Sequence, residues 1–401
     1  MKTRNPNAPS LRIVHVLRAP LGGLFRHVLD LTREQIARGH QVGLITDSNT
    51  GGDRATEILS ELEPSLALGV MRAPMQRLPH WSDISNFTKI AAHLRALKPD
   101  VVHGHGSKGG VYARGTAFLP GLGEPIRAYT PHGGAFNYQP GSLQHRVFMQ
   151  VEKALERKTD IYLFESAYVE GRFHAYVGET DKLKRVVLNG ISPSEFAPVA
   201  TTVNPAKFLY VGELRAAKGI DTLISALALL SRRIDKRPHL ILVGSGPDQE
   251  QLTNQARALG VVDLVSFPGA MPARAAFALG EILVIPSRAE SLPYILIEAA
   301  GAQIPIVATN VGGNGEIFGP YRNRLIPCND EHILADAMEA AISKDKAVLR
   351  EEAAELVDFV STHFTITGMA DSVIAGYRAA LAAKAGTGYA DSAPTPRALA
   401  G

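Results

Sequence analysis

Residues 287–298 read Ser-Arg-Ala-Glu-Ser-Leu-Pro-Tyr-Ile-Leu-Ile-Glu and place two carboxylates where charge is costly. Glu290 falls in a loop after an apolar run, and Glu298 falls inside an otherwise apolar helix. Such charges must be paired or hydrogen-bonded. Sugar and ribose hydroxyls are suitable donors to them, and a structural salt bridge is the competing reading for Glu298. The helix start near Leu292 offers free amides to a phosphate. A second loop, 212–219, carries Arg215 and Lys218 just ahead of a helix. Their charge and fork geometry suit a diphosphate, against a plain solvated basic loop. Gly244-Ser245-Gly246 could approach a nucleotide, but a bare glycine loop is a weak signal.

The first half carries three further loops. Gly22-Gly23 follows a strand and opens a helix, which suits an anion or an ordinary turn. No G-x-G-x-x-G follows it, which counts against a standard dinucleotide site. His103 and His105 end another strand, with Lys108 just after. They are read as pointing to opposite faces, which speaks against a shared metal and for a polar loop facing an acceptor. His132 sits in Thr-Pro-His-Gly-Gly, 130–134, either lining a site or shaping a turn. No DxD metal motif stands out, so neither metal nor cofactor is expected.

Apolar runs at 12–17, 41–46, 66–71, 100–105, 126–130, 161–164 and 185–188 read as strands. Amphipathic stretches at 24–38, 82–97, 107–118 and 142–158 read as helices between them. The alternation restarts after a proline-rich stretch, with strands at 207–211, 239–243, 264–267, 282–285 and 305–308. Strands separated by helices imply right-handed βαβ units on parallel sheets. The expected fold is α/β, two Rossmann-like doubly wound domains facing across a cleft. The expected division is a first domain 1–190, a linker 191–205 and a second domain 206–366. A helix 367–385 crosses back, and a disordered tail fills 386–401. Apart from Glu298, which falls in a helix, the candidate residues then lie in or beside loops after strands, where such sheets bind ligands.

The 401 residues, 45% hydrophobic and 20% charged, can build two such cores. A single cysteine, Cys328, fits a reducing compartment. No run of about 18 apolar residues suggests a spanning helix, and 1–10, with Lys2 and Arg4, leads into no secretory signal. Net charge splits as +6 for 1–199 and −3 for 200–401. The basic half suits an anionic acceptor or membrane surface. Scattered charges and few aromatics disfavour nucleic acid. In 71–98, Leu78, Trp81, Phe87 and Ile90 lie among Arg72, Arg77, Lys89, Arg95 and Lys98, a pattern fitting either an anionic bilayer or a core-facing helix with a solvated back.

Glu290 and Glu298 form an E-x7-E element within AESLPYILIEAAGAQIPIVATNVGG. Together with GGLFRHVLDL, DVVHGHGSKGG, TPHGG, YVGELRAAKGID and LVGSGPDQEQL, this resembles the retaining glycosyltransferases of family 4, which have the GT-B fold. The resemblance covers about 12–380. It implies that Gly22 and Gly23 lie near the donor phosphates and that His132 borders the donor sugar and the reaction centre. Arg215 and Lys218 would neutralise the diphosphate. Glu290 would bond the donor sugar and Glu298 the ribose. Leu292 would add an amide to the phosphate cradle, Gly244 would approach the nucleotide, and 266–271, ending at Met271, would edge the base pocket. One position departs: the family often has Gly-Arg-Leu where this chain has Gly212-Glu213-Leu214. Glu213 is expected to turn away and Arg215 to substitute.

The implied activity is a metal-independent, retaining sugar transfer from a nucleotide diphosphate-sugar to an acceptor hydroxyl. A carbohydrate or lipid-linked acceptor of cell-envelope polysaccharide or glycolipid synthesis is implied, in the cytoplasm or peripheral at the inner face of the membrane. The rivals are a nucleotide-sugar epimerase of the same fold and a catalytically silent sugar-nucleotide-binding subunit. Acceptor-dependent product separates the first, and donor binding without turnover would mark the second. A glycoside hydrolase fits the phosphate loops less well.

Overall fold

The computed structural model describes residues 9–121, 123–137 and 140–387. Lys2, Arg4 and the expected tail from 388 onward lie outside them.

Short runs rich in Val, Ile, Leu and aromatic residues, bounded by polar or glycine turns, form twelve strands among the described residues. The first seven are β1 (Arg12–Leu17), β2 (Gln41–Asp47), β3 (Val70–Ala73), β4 (Val101–His105), β5 (Ile126–Thr130), β6 (Ile161–Phe164) and β7 (Leu183–Val186). They hydrogen-bond in the order β3-β2-β1-β4-β5-β6-β7, and every pairing is parallel. The other five are β8 (Ala206–Val211), β9 (Leu240–Val243), β10 (Val265–Gly269), β11 (Gly280–Ile285) and β12 (Ile306–Ala308). Their order is β10-β9-β8-β11-β12, again parallel. Strands buried on both faces explain why β6, β9 and β11 read as nearly continuous apolar runs. Each order reverses its winding once, between β1 and β4 and between β8 and β11. Ligands of such sheets bind beyond the strands' carboxyl ends at that point.

Three local differences from the sequence reading have physical causes. The third strand starts at Val70 rather than 66, because Leu66 and Leu68 fill the core from the turn before it. A helix Gly52–Leu62 precedes it, burying only Ala55, Leu59 and Leu62. A helix Ala167–Tyr176 links β6 to β7, with only Val169 and Phe173 buried, so its period is faint.

The chain forms two compact units, one running up to Leu188 and resuming at Ile366, the other Asn189–Thr365. Residues 191–205, expected as a linker, run along the second unit. Ile191 pairs with Thr365, the Val199 amide donates to the Ala302 carbonyl at 3.1 Å, and the Thr202 amide donates to that of Ala278 at 2.8 Å. Prolines remove periodicity there, but these amides still find carbonyl partners. The helix Ile366–Lys384 belongs to the first unit, where Met369, Ala370, Val373 and Tyr377 pack with Ile13, Val101, Ala128 and Ile161.

Candidate functional site

In the second unit, Lys218 and Glu290 meet at the reversal of the sheet. Lys218 ends the loop after β8, and Glu290 lies in the loop after β11. The Lys218 ammonium donates to Glu290 Oε1 at 2.7 Å, and the Ser287 hydroxyl donates to the same oxygen at 2.7 Å. Glu290 is buried and Lys218 mostly so. The loops around them touch backbone to backbone. A Cβ on Gly244 would lie 1.8 Å from the Gly212 carbonyl oxygen, and one on Gly312 would lie 2.0 Å from that of Glu290. Only glycine fits such approaches.

Arg288, quoted in the 287–298 stretch but given no role there, ties these loops together. Its guanidinium donates to the Ala216 carbonyl at 2.5 Å and the Asp221 carboxylate at 2.6 Å. Its amide donates to the Ala217 carbonyl at 2.9 Å. The segment before Lys218 is therefore fixed to the segment before Glu290. Arg215 Nε lies 2.9 Å from a Glu213 carboxylate oxygen, with both side chains about half exposed. Glu213 thus turns toward Arg215. Leu292 is buried, and its carbonyl accepts from the Asn189 side chain at 2.8 Å. Glu298 is half-buried in the helix Tyr294–Gly301, and Met271 is half-buried just after β10.

In the first unit, Gly22 adopts φ +62° and opens the helix Gly22–Ala37, which has no side-chain cap. Gly22 and Gly23 are exposed there. His103 and His105 do not point apart. Residues two apart on a strand share a face, and their rings lie 3.9 Å apart between centroids. His15 from the neighbouring β1 joins them, with Nδ1 2.9 Å from His105 Nε2. His132 closes the group, its Nε2 3.1 Å from His105 Nδ1, and His27 stacks edge-on against it at 4.7 Å. Nitrogens of His15, His103 and His105 lie within 4.8 Å of one another, as do those of His27, His105 and His132. The facing argument against a shared metal therefore does not hold. The nitrogens are, however, bonded to one another and to Gln35, Thr130 and Tyr377.

Burial makes charge unfavourable in this group. It pushes His15 down to about 4 and holds His103, His105 and His132 well below the usual imidazole range. For the last three, neighbouring histidines add to the effect. His132 itself has φ +52°, a strained left-handed conformation for a residue with a Cβ. The next amide, of Gly133, donates to the buried Glu165 carboxylate after β6. Sequence reasoning missed Gln35, His15, His27, Glu165, Ser287 and Arg288. Only the shared face of His103 and His105 offered a signal.

The apolar segment 71–98 divides. Ile90 is buried and Phe87 packs onto the core, so neither belongs to an exposed patch. Leu78, Trp81 and Ile84 are exposed, Trp81 by 78%.

Two family models match the chain. The one described as "Glycosyltransferase Family 4" matches residues 21–195, and the one described as "Glycosyl transferases group 1" matches residues 193–356. A glycogen synthase of Mycobacterium tuberculosis is 30% identical over 323 residues, spanning 74% of this chain and 76% of that one. A GDP-mannose-dependent alpha-(1-6)-phosphatidylinositol monomannoside mannosyltransferase of the same organism is 31% identical over 214 residues, 47% of this chain and 54% of that one. Among solved structures, a sucrose-phosphate synthase from Thermosynechococcus elongatus superposes with a TM-score of 0.76 at 22% identity, covering 93% of this chain and all of that one. Anabaena HepE in complex with UDP superposes at 0.71 with 18% identity, covering 91% and 98%. Two parallel-sheet units, the E-x7-E element at the second sheet's reversal and these matches agree: the chain belongs to glycosyltransferase family 4, an enzyme of the GT-B fold that transfers sugar residues.

Proposed function

We propose that this glycosyltransferase moves a sugar from a nucleotide diphosphate-sugar to an acceptor hydroxyl, with retention of configuration and without a metal ion. The observation that carries this reading is the buried Lys218–Glu290 pair, held by Ser287 at the reversal of the second sheet. It sets a cation beside a carboxylate among close-packed backbone, which suits a donor with both a diphosphate and hydroxyls. The names of relatives support a nucleotide donor: one mannosyltransferase is GDP-mannose-dependent, and HepE is solved with UDP and with UDP-glucose.

In this reading the second unit binds the donor. Lys218 and Arg215, with amides near Leu292, stabilise negative charge as it develops on the departing diphosphate. Gly22 and Gly23 offer further amides to the phosphates. Glu290 holds the sugar, Glu298 the ribose, and Gly244 and the segment ending at Met271 border the nucleotide. The departing phosphate takes the acceptor's proton on the same face of the sugar, which retains configuration. The first unit presents His132 and the acceptor side. The acceptor is a carbohydrate or lipid-linked hydroxyl of the cell envelope, reached from the cytoplasmic face.

Titrating Glu298→Gln with nucleoside diphosphates tests the ribose assignment. Loss of charge-assisted bonds weakens affinity by roughly 1.5–3 kcal/mol, while the circular dichroism spectrum stays that of wild type. Affinity equal to wild type would refute the assignment. The anomeric configuration of the product, read by NMR, decides retention, and turnover unchanged by a chelator is expected for a metal-independent reaction.

A further inference from the structure

The histidines of the first unit form a directed run of hydrogen bonds. The Gln35 carbonyl oxygen lies 2.8 Å from His15 Nε2. A carbonyl oxygen only accepts, so His15 carries its proton on Nε2 and leaves Nδ1 bare. That bare nitrogen lies 2.9 Å from His105 Nε2, which must donate to it. His105 Nδ1 is then bare in turn, and it lies 3.1 Å from His132 Nε2. The proton of His132 is therefore on Nε2, directed inward, and Nδ1 keeps its lone pair. The argument requires neutral rings with one proton each, and burial provides them.

A second branch is compatible with this orientation of the glutamine. Its amide nitrogen faces the Tyr377 hydroxyl at 3.5 Å. That hydroxyl lies 2.7 Å from His103 Nδ1, and His103 Nε2 lies 2.9 Å from the Thr130 hydroxyl. With the amide donating to Tyr377, the tyrosine donates to His103 and His103 donates to Thr130. Both branches then agree on one placement of every proton. The reversed amide would reverse all of them.

We propose that Gln35, His15 and His105 are positioning residues that hold His132 in its Nε2–H tautomer, so that His132 meets a bound ligand as a hydrogen-bond acceptor. Among the described residues its Nδ1 has no hydrogen-bond partner. The group it recognises is a hydroxyl, such as one on a sugar, and it cannot serve the departing phosphate as a donor through that atom. The tautomer stands on the orientation of the Gln35 amide, with its oxygen toward His15; the hydroxyl rests on the reading of His132 as bordering the donor sugar.

Long-range 1H–15N NMR of the full-length protein at neutral pH reads the tautomer directly. The Nε2–H form at His132 is expected, and the Nδ1–H form or a doubly protonated ring overturns the proposal without any variant. Gln35→Leu removes the anchoring acceptor while filling its space. It should bring the Nδ1–H form of His132 into the spectrum and lower kcat by about tenfold, the worth of one hydrogen bond. A merely structural glutamine would leave the His132 tautomer unmoved, and that result also overturns the proposal. A shifted tautomer with unchanged turnover keeps the run of bonds but overturns the role given to His132.

Discussion

Lys218 and Glu290 come from loops 72 positions apart and share one 2.7 Å bond. Removing a group that stabilises developing charge costs about 10²–10³ in turnover, and Lys218→Ala should lower kcat by about that factor at saturating donor. Arg215→Ala should do the same. Its bond to Glu213 is half-exposed, and exposed pairs contribute roughly 0–1 kcal/mol, so Arg215 can exchange Glu213 for a phosphate at little cost. Glu213→Ala should then stay within a few-fold of wild type, on the order of that pair's small energy. A dead Glu213→Ala beside an active Arg215→Ala would reverse the two roles. The spacing of Glu290 and Glu298 was legible because both lie in one stretch of sequence. The partner of Glu290 was not, because β8 and β11 are neighbours only in the sheet. The roles of Arg288 and Glu165 were hidden for the same reason: their partners, Ala216 and Asp221 for one and the Gly133 amide for the other, become neighbours only in the fold.

Strands and helices bring two kinds of buried charge problem. Arg114, on the helix Gly106–Gly115, is fully buried and paired at 2.8 Å with Glu152, on the helix Leu143–Glu156. The guanidinium also lies 3.7 Å from the Tyr129 ring of β5, whose hydroxyl donates to the same carboxylate at 3.0 Å. Glu152→Leu strands the cation, which costs about 3–5 kcal/mol. A urea titration should show that loss, and the double variant with Arg114→Leu should recover much of it. The histidines of β1 and β4 avoid charge instead. His15 takes a proton only near 4 in the folded protein and at about 6.5 when unfolded. The unfolded state therefore binds more protons between those values, so stability is full above about pH 6.5 and falls toward pH 4. His15 alone accounts for about 3 kcal/mol of that fall. A urea midpoint equal at about pH 7.5 and about pH 5 would contradict it. Strand positions were readable from apolar runs such as Arg12–Leu17, because a strand buried on both faces needs little else. The helices Gly52–Leu62 and Ala167–Tyr176 were not, because so few of their residues face the core.

For the molecule as a whole, charge and exposed apolar surface gather in the first unit. No helix of the described residues is long and apolar enough to cross a membrane. Leu78, Trp81 and Ile84 are exposed, and Arg77 and Lys89 beside them are exposed as well. An anionic bilayer surface would take such a patch. Co-sedimentation with anionic vesicles at low salt, reduced at high salt and by Trp81→Ser, is the expected result; no binding at low salt removes the idea. The split first unit has a further consequence during synthesis. Its seventh strand is complete by residue 188, but the helix that supplies Tyr377 and covers Ile13, Val101 and Ile161 begins at Ile366. At about 5–20 residues per second the ribosome needs roughly 10–35 s to cross that gap. For that interval the nascent sheet displays an uncovered apolar face and a His103 without its tyrosine, so a chain arrested before residue 366 should be held by chaperones and cleaved by proteases that spare the finished enzyme.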